Sequence, residues 1–188
     1  MASVKKELCK DCRMSRFCTS ATYNNTPGWG NPDAKLVVVF DDPSHSLAEK
    51  LFVWCMQKLS LTGDDVWVDY VWKCPLPKQL KKKELEVTYK ICWTSHPRHW
   101  AEDENRVIVL AGNYAADFLA SAKMAQAHGK KDPESQAWIV YSFLYLLMNP
   151  AECLDNSRVL YKAAEEAGLS PKYNADIPPF RFPSKKVS

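Results

Sequence analysis

Four short apolar runs, rich in β-branched residues, constrain the fold of this chain more than any other feature. They occupy residues 36–40, 66–72, 106–111 and 137–143. Uninterrupted apolar runs of this length are typical of strands that are buried on both faces of a parallel sheet. We therefore predict four strands, each followed by a helix or by a loop that leads to one.

Helical periodicity fills the segments between and after these runs. Helices are predicted over residues 47–59, 83–100, 113–128 and 149–168. Regular alternation of strand and helix indicates a parallel sheet with helices on both faces. The predicted fold is therefore a three-layer α/β/α structure around a central four-stranded parallel sheet.

The length and composition fit one domain. With 188 residues, of which 46% are hydrophobic, the chain can form one sizeable core, and we predict a single domain over residues 1–170. Residues 171–188 are rich in proline and show no periodicity, which predicts an extended tail that Phe180 and Phe182 can tether to the body.

Charge and cysteine content narrow the functional classes. A net charge of +3 permits a polyanionic partner without requiring one. The chain contains no run of 18 apolar residues and no apolar segment near its start, so we expect a cytoplasmic protein without membrane insertion. Seven cysteines in a reducing compartment favour metal ligation over disulfides. Cys55 and Cys153 lie on helix patterns and are predicted to be core residues.

Four cysteines form a candidate metal site. Cys9 and Cys12 make a C-x-x-C pair, Cys74 follows the second strand and precedes a proline, and Cys92 lies on a predicted helix. Four thiolates suit either a [4Fe–4S] cluster or tetrahedral zinc. The wide spacing of the second pair and the proline after Cys74 favour the cluster, with Cys18 as an alternative ligand.

Acidic residues follow the first strand. In open α/β sheets, ligands bind beyond the carboxyl ends of the strands, and here the sequence reads Phe40-Asp41-Asp42-Pro43-Ser44. Asp41 and Asp42 are therefore candidate catalytic residues.

Four collinear segments resemble the iron–sulfur (family 4-type) uracil-DNA glycosylases. The segment that begins CKDC and ends LVVVFDDPS is similar to the family's C-x-x-C, PGxGxxxA and GEAPG elements. DVWVDYVWKCPLP resembles its TNxxKCRPP segment, VIVLAGNYAADFLA its VxxLGxxAxxxLL motif, and VYSFLYLLMNP its TYHPSYLLRNP motif. The resemblance spans roughly residues 9–167. It implies a uracil-DNA-glycosylase fold, DNA as a partner, and a [4Fe–4S] cluster held by Cys9, Cys12, Cys74 and Cys92.

The active-site motifs of that family are altered in this chain. Members of the family use an asparagine to read the base; Tyr70 occupies that position here, or Asp69 if the register shifts by one. Ser142 replaces the histidine that stabilises the departing base in the family. His45 is the candidate substitute for that histidine. The base-pocket positions implied by the resemblance are Phe40, Ser44, Tyr70, Asn113 and Ser142. Because losing one preorganised donor costs about 3–4 kcal/mol, these changes predict weak or absent glycosylase activity.

A basic segment lies between the last two candidate ligands. Its lysines are suited to neutralising DNA phosphates: Lys73, Lys78, Lys81, Lys82 and Lys83. The alternative is a solvated lysine run at a helix start, where the helix dipole disfavours cations. Trp29, in PGWGN, is suited to stacking on single-stranded bases. A second group is suited to the same contacts, with core packing of its tryptophans as the alternative: Trp93, His96, Arg98, His99 and Trp100.

The resemblance and the altered motifs together favour a non-catalytic DNA-binding module. By analogy with divergent relatives in phages, the expected role is a replication or repair accessory in the host cytoplasm, with single-stranded or duplex DNA and a replication polymerase as partners. An active glycosylase that uses Asp41 to orient water is the first alternative, and a redox or cluster-sensing protein is the second.

Overall fold

A computed structural model describes residues 26–43, 46–76, 80–96 and 98–182. It has a mixed α/β fold with a five-stranded, mostly parallel sheet. The strands are β1 (Trp29–Gly30), β2 (Leu36–Phe40), β3 (Val66–Tyr70), β4 (Val107–Ala111) and β5 (Trp138–Val140). Their order across the sheet is β1-β3-β2-β4-β5; β2 to β5 pair in parallel, and β1 pairs antiparallel with β3. The α/β class is confirmed, and the four predicted strands are present.

The prediction of a four-stranded sheet omitted the edge strand β1. Trp29 and Gly30 pair with Val68 and Trp67. The close approach depends on Gly28, because a Cβ atom at that position would lie 2.5 Å from the carbonyl oxygen of Val68. A two-residue strand has no periodicity that a sequence pattern can reveal.

Six α-helices are formed by the described residues. They are α1 (Ser46–Lys58), α2 (Lys82–Ser95), α3 (Asn113–Ala120), α4 (Met124–Ala127), α5 (Phe143–Met148) and α6 (Cys153–Glu166). Short 3-10 helices cover His99–Glu102 and Pro150–Glu152. None of the described helices has the length and apolar character needed to span a bilayer.

Three predicted elements differ from their patterns for reasons that the structure shows. The helix predicted over 83–100 ends at Ser95, because the proline at position 97 disfavours helical geometry at His96. The helix predicted over 113–128 divides into two at Ser121, which has a left-handed φ of 51°. The strand predicted over 137–143 ends at Val140 because Ser142 begins α5 by accepting a hydrogen bond from the Tyr145 N–H, at 3.2 Å.

Alternate residues of β2 face two separate cores. Leu36, Val38 and Phe40 pack with residues of α1, α5 and α6, whereas Val37 and Val39 pack with residues of α2 and α3. Side chains of a strand alternate between the two faces of its sheet, so helices on both faces bury β2 completely. Helices of the described residues therefore cover both faces of the sheet.

Residues 172–182, which we call the C-terminal strap, lie along α1. The N–H of Lys172 donates to the carbonyl of Leu59 at 3.0 Å, and the N–H of Asn174 donates to the carbonyl of Lys58 at 2.7 Å. Further along, the Trp54 indole donates to the Pro178 carbonyl at 2.7 Å, and the ring of Phe180 lies 6.0 Å from that indole. The strap is therefore held by both backbone hydrogen bonds and aromatic contacts.

Candidate functional site

The carboxylate of Asp41 lies at the start of α3. Its Oδ1 atom accepts a hydrogen bond from the Ala115 N–H at 2.7 Å. Gly112 makes room for this carboxylate, because a Cβ atom at position 112 would lie 2.4 Å from it, and the φ of 143° also requires glycine. Burial raises the pKa of Asp41 to about 7; the Ala115 N–H opposes this shift, and the neighbouring charge of Asp42 adds to it.

Asp42 connects the same turn to the loop that contains Cys74. Its Oδ2 atom accepts a hydrogen bond from the Leu76 N–H at 2.6 Å. The two consecutive aspartates therefore bind backbone groups of two different elements, α3 and the Cys74 loop. Ser44 and His45 lie outside the described residues.

Two of the base-pocket positions, Phe40 and Ser142, line a small cavity. Phe40 is buried, and its ring lies 5.5 Å from that of Phe143 and 5.4 Å from that of Phe52. The cavity beside Phe40 and Phe143 measures about 60 Å³, whereas ligand pockets measure about 300–1,000 Å³ and one water occupies about 30 Å³. It has space for about two waters and is too small for a nucleobase.

Tyr70 and Ser142 have structural partners. The Tyr70 hydroxyl donates to Glu49 Oε1 at 2.5 Å, and burial together with this carboxylate raises the pKa of Tyr70. Ser142 caps α5, and Asn113 is exposed at the start of α3. Glu49 was not predicted as part of this site, and its place in the first turn of α1 gives no sequence signal for contact with β3.

Asp69 is the centre of a buried polar network behind these positions. It is 2% exposed, and its Oδ2 atom accepts a hydrogen bond from the Trp100 indole at 2.6 Å. Its Oδ1 atom pairs with the buried ammonium group of Lys73. An aspartate within the apolar run VWVDYVW is a signal that could have identified this network. Lys73 differs from the other lysines of the basic segment, because its charge is already paired inside the protein.

Arg98 adds a second buried cation to the network. Its guanidinium donates to the carbonyls of Tyr70 and Val71, at 3.0 and 2.7 Å, and lies 4.3 Å from the centre of the Trp93 ring. Its Nε atom is 3.9 Å from the Asp69 carboxylate and has no hydrogen-bond partner among the described residues. Lys73 and Arg98, both buried, therefore share the carboxylate of Asp69.

Cys74 and Cys92 lie close together at the end of β3. The N–H of Lys73, the residue before Cys74, donates to Cys92 Sγ at 3.4 Å, and both cysteines are half-buried. The first described residue, Thr26, donates its N–H to the Lys73 carbonyl at 2.8 Å, so the chain that carries Cys9 and Cys12 joins the body next to Cys74. Cys9, Cys12 and the alternative ligand Cys18 lie outside the described residues.

These observations fit a metal–thiolate centre as far as the described residues extend. Four thiolates suit either a [4Fe–4S] core or Zn²⁺, and Cys74 and Cys92 would supply two of them. Hydrogen bonds to sulfur stabilise the thiolate form, and the Lys73 N–H provides one. Cys55 and Cys153, in contrast, are buried in the core as predicted.

Three lysines of the basic segment face solvent. Lys81, Lys82 and Lys83 are exposed where α2 begins, and we call them the lysine surface. Lys78 lies outside the described residues. Of the aromatic candidates for base stacking, Trp100 is buried and Trp93 packs against the core, while Trp29 contacts Phe52 at 6.0 Å.

The remaining basic candidates divide between interior and surface. His96 is buried, whereas His99 is exposed at the start of its 3-10 helix.

Comparison of the chain with protein-family models finds no match, and comparison with curated proteins finds none either.

Proposed function

We propose that this chain is a [4Fe–4S]-containing protein with the uracil-DNA-glycosylase fold, and that it binds DNA without cleaving N-glycosidic bonds. The small volume of the cavity at the strand ends is the observation that carries this proposal. A glycosylase must accept a base that has been flipped out of the duplex. The rings of Phe40 and Phe143 reduce the available space to about 60 Å³.

The lysine surface supports the DNA-binding part of the proposal. Three adjacent cations at the start of α2 are unfavourable for the helix, because its dipole is positive at that end. Glu84, whose carboxylate accepts a hydrogen bond from the Lys81 N–H at 3.0 Å, offsets only part of that charge. An exposed lysine run that does not stabilise its own helix is suited to contacts with phosphates, and such contacts weaken strongly with salt.

The metal centre would be held by Cys9, Cys12, Cys74 and Cys92, with zinc as the alternative to the cluster. When bound, it would connect the N-terminal segment to α2 and to the loop after β3. The contact of the Lys73 N–H with Cys92 Sγ, which places Cys92 beside the residue that precedes Cys74, supports this assignment. By analogy alone, we propose a phage replication polymerase as the partner.

An activity assay with a binding assay tests the proposal. The full chain is incubated with uracil-containing and other damaged-base oligonucleotides, which are then treated with alkali, and an active uracil-DNA glycosylase serves as the positive control. We expect intact strands in the assay and, in a fluorescence anisotropy titration, binding to labelled DNA at low salt. Abasic-site cleavage that Asp41→Asn abolishes would replace the proposal with an enzymatic function, and absence of DNA binding at low salt would end it.

One observation favours the enzymatic alternative. A carboxyl group with a pKa of about 7 at the carboxyl end of a strand is suited to proton transfer at neutral pH, and Asp41 has these properties. This function requires the cavity to open enough for a base to enter. The same cleavage assay distinguishes the two functions.

A further inference from the structure

A large groove lies between α1 and α6, on the face of the sheet opposite α2. Its volume is about 680 Å³, within the range of about 300–1,000 Å³ that is typical of ligand sites. The walls are formed by Trp54 of α1, Leu154 and Tyr161 of α6, and Tyr173 and Phe182 of the C-terminal strap. Leu154 is 59% exposed and Tyr173 is 72% exposed, so apolar surface is left open to solvent.

The strap shows which kind of molecule this face accommodates. It runs along α1 as an extended, proline-containing segment without helix or strand structure. A side-chain donor, the indole of Trp54, holds its backbone at the Pro178 carbonyl, and Phe180 packs against the same indole. This combination of a backbone hydrogen bond and an aromatic contact is a way in which peptide segments are recognised.

The charges that line the groove are mainly positive. Lys58, Arg158 and Lys162 line it, against the single acid Glu165. Lys58 is 9% exposed, and its ammonium lies 5.8 Å and 5.1 Å from the ring centres of Trp54 and Tyr173. Arg158 pairs with Asp155 at 3.0 Å, but both side chains are more than half exposed, so the pair is weak and open to exchange.

We propose that the α1–α6 groove binds a short acidic segment of a partner protein. Apolar or aromatic side chains of that segment pack against Trp54, Leu154 and Tyr161, and its carboxylates pair with Arg158 and Lys162 at the rim. The apolar walls and the backbone contacts of the strap favour a peptide over a nucleic acid. This site lies apart from the lysine surface and depends on neither the metal centre nor DNA binding.

Peptide selection on the full chain tests this proposal. A phage-displayed library of random twelve-residue peptides is selected against the immobilised protein, and enriched peptides are synthesised and titrated by isothermal calorimetry. We expect enriched peptides to combine apolar residues with Asp or Glu. The charge-reversed variant Arg158→Glu/Lys162→Glu should weaken their binding at least tenfold, whereas the matched variant Lys82→Glu/Lys83→Glu, on the opposite face, should leave it unchanged.

Leu154→Glu provides a second variant, since its exposed side chain can be replaced without disturbing the core. It should also weaken the peptides at least tenfold. No enrichment, enrichment of basic peptides, or equal affinity for the charge-reversed variant would overturn the proposal.

Other occupants of the groove give distinct results, each of which would also overturn the proposal. In one variant of the full chain, residues 183–188 are replaced by glycine and serine. If peptides bind to this variant and not to the native chain, the occupant of the groove is the chain's own C-terminal segment. A dimer in sedimentation that Leu154→Glu dissociates would assign the groove to a second copy. An oligonucleotide that displaces the peptides from the native chain, but does not bind the Arg158→Glu/Lys162→Glu variant, would assign it to nucleic acid.

Discussion

Replacing Asp69 with asparagine is expected to be among the most destabilising isosteric changes in this protein. The substitution keeps the shape of the side chain and removes its charge, so the buried cations Lys73 and Arg98 lose the carboxylate they share. Removing one partner of a buried ion pair costs about 3–5 kcal/mol, because the remaining charge stays buried without compensation. For a chain of this size, each kcal/mol lowers Tm by about 2–4 °C, so we expect a decrease of about 6–20 °C.

Thermal unfolding followed by circular dichroism measures this effect, and urea unfolding gives the free energy. Asp155→Asn is the matched control, because Asp155 pairs with Arg158 at the surface, and its Tm should change by less than about 4 °C. In the double variant Asp69→Asn/Lys73→Met, one of the two uncompensated cations is absent, and part of the lost stability should return. A decrease below about 3 °C for Asp69→Asn would refute the reasoning, since it would mean that water already screens these charges.

Four further predictions concern the strand ends, the lysine surface and the metal centre. Replacing the three residues of the lysine surface with alanine should weaken DNA binding and reduce the slope of the logarithm of the DNA-binding constant against the logarithm of salt concentration by about 2–3. The slope should persist in a control variant in which three other exposed lysines are replaced: Lys50, Lys123 and Lys172. Folding raises the pKa of Asp41 from 3.8 to about 7. Between these two pH values the folded state therefore binds more protons than the unfolded state. The free energy of unfolding should fall by up to about 1.4 kcal/mol per pH unit as the pH rises from 3.8 to about 7. Asp41→Asn should remove this slope in urea unfolding at several pH values; identical pH profiles for the two proteins would contradict the prediction. Gly112→Ala should lower Tm, because the new Cβ meets the Asp41 carboxyl, while Gly63→Ala, which adds a methyl group in open space, should not. Cys92→Ser should reduce the iron or zinc bound per chain in metal analysis, and retention of the full metal content would exclude Cys92 as a ligand; Cys55→Ser is the buried control.

The sequence predicted the fold well where one structural state was clearly favoured. Each of the four parallel strands contains an apolar β-branched run, and the observed strands lie within the predicted ranges. Residues 140–147 were less predictable, because VYSFLYLL is apolar enough for a strand or a helix. In the structure Ser142 caps α5, and Phe143 and Leu146 bury its apolar side; that packing is not visible in the local sequence pattern.

The site was predictable in position but not in the contacts of its residues. Asp41 and Asp42 occupy the strand end where the fold class predicts a ligand site, yet their hydrogen-bond partners, Ala115 and Leu76, are distant in the sequence. By its sequence pattern Lys73 belongs to a basic segment, but its ammonium group is buried and pairs with the carboxylate of Asp69, four residues earlier in β3. Burial and long-range pairing depend on how the helices pack, which a single sequence does not encode in any local motif.

The acidic turn after β2 also has a dynamic consequence. Because Asp41 holds the Ala115 amide and Asp42 holds the Leu76 amide, one short turn joins α3 to the loop that carries Cys74. A displacement of that loop would therefore pull on the backbone that keeps Asp41 in place. We expect these two amides, 39 positions apart in the sequence, to exchange with solvent deuterium at matched rates, as members of one cooperative opening unit.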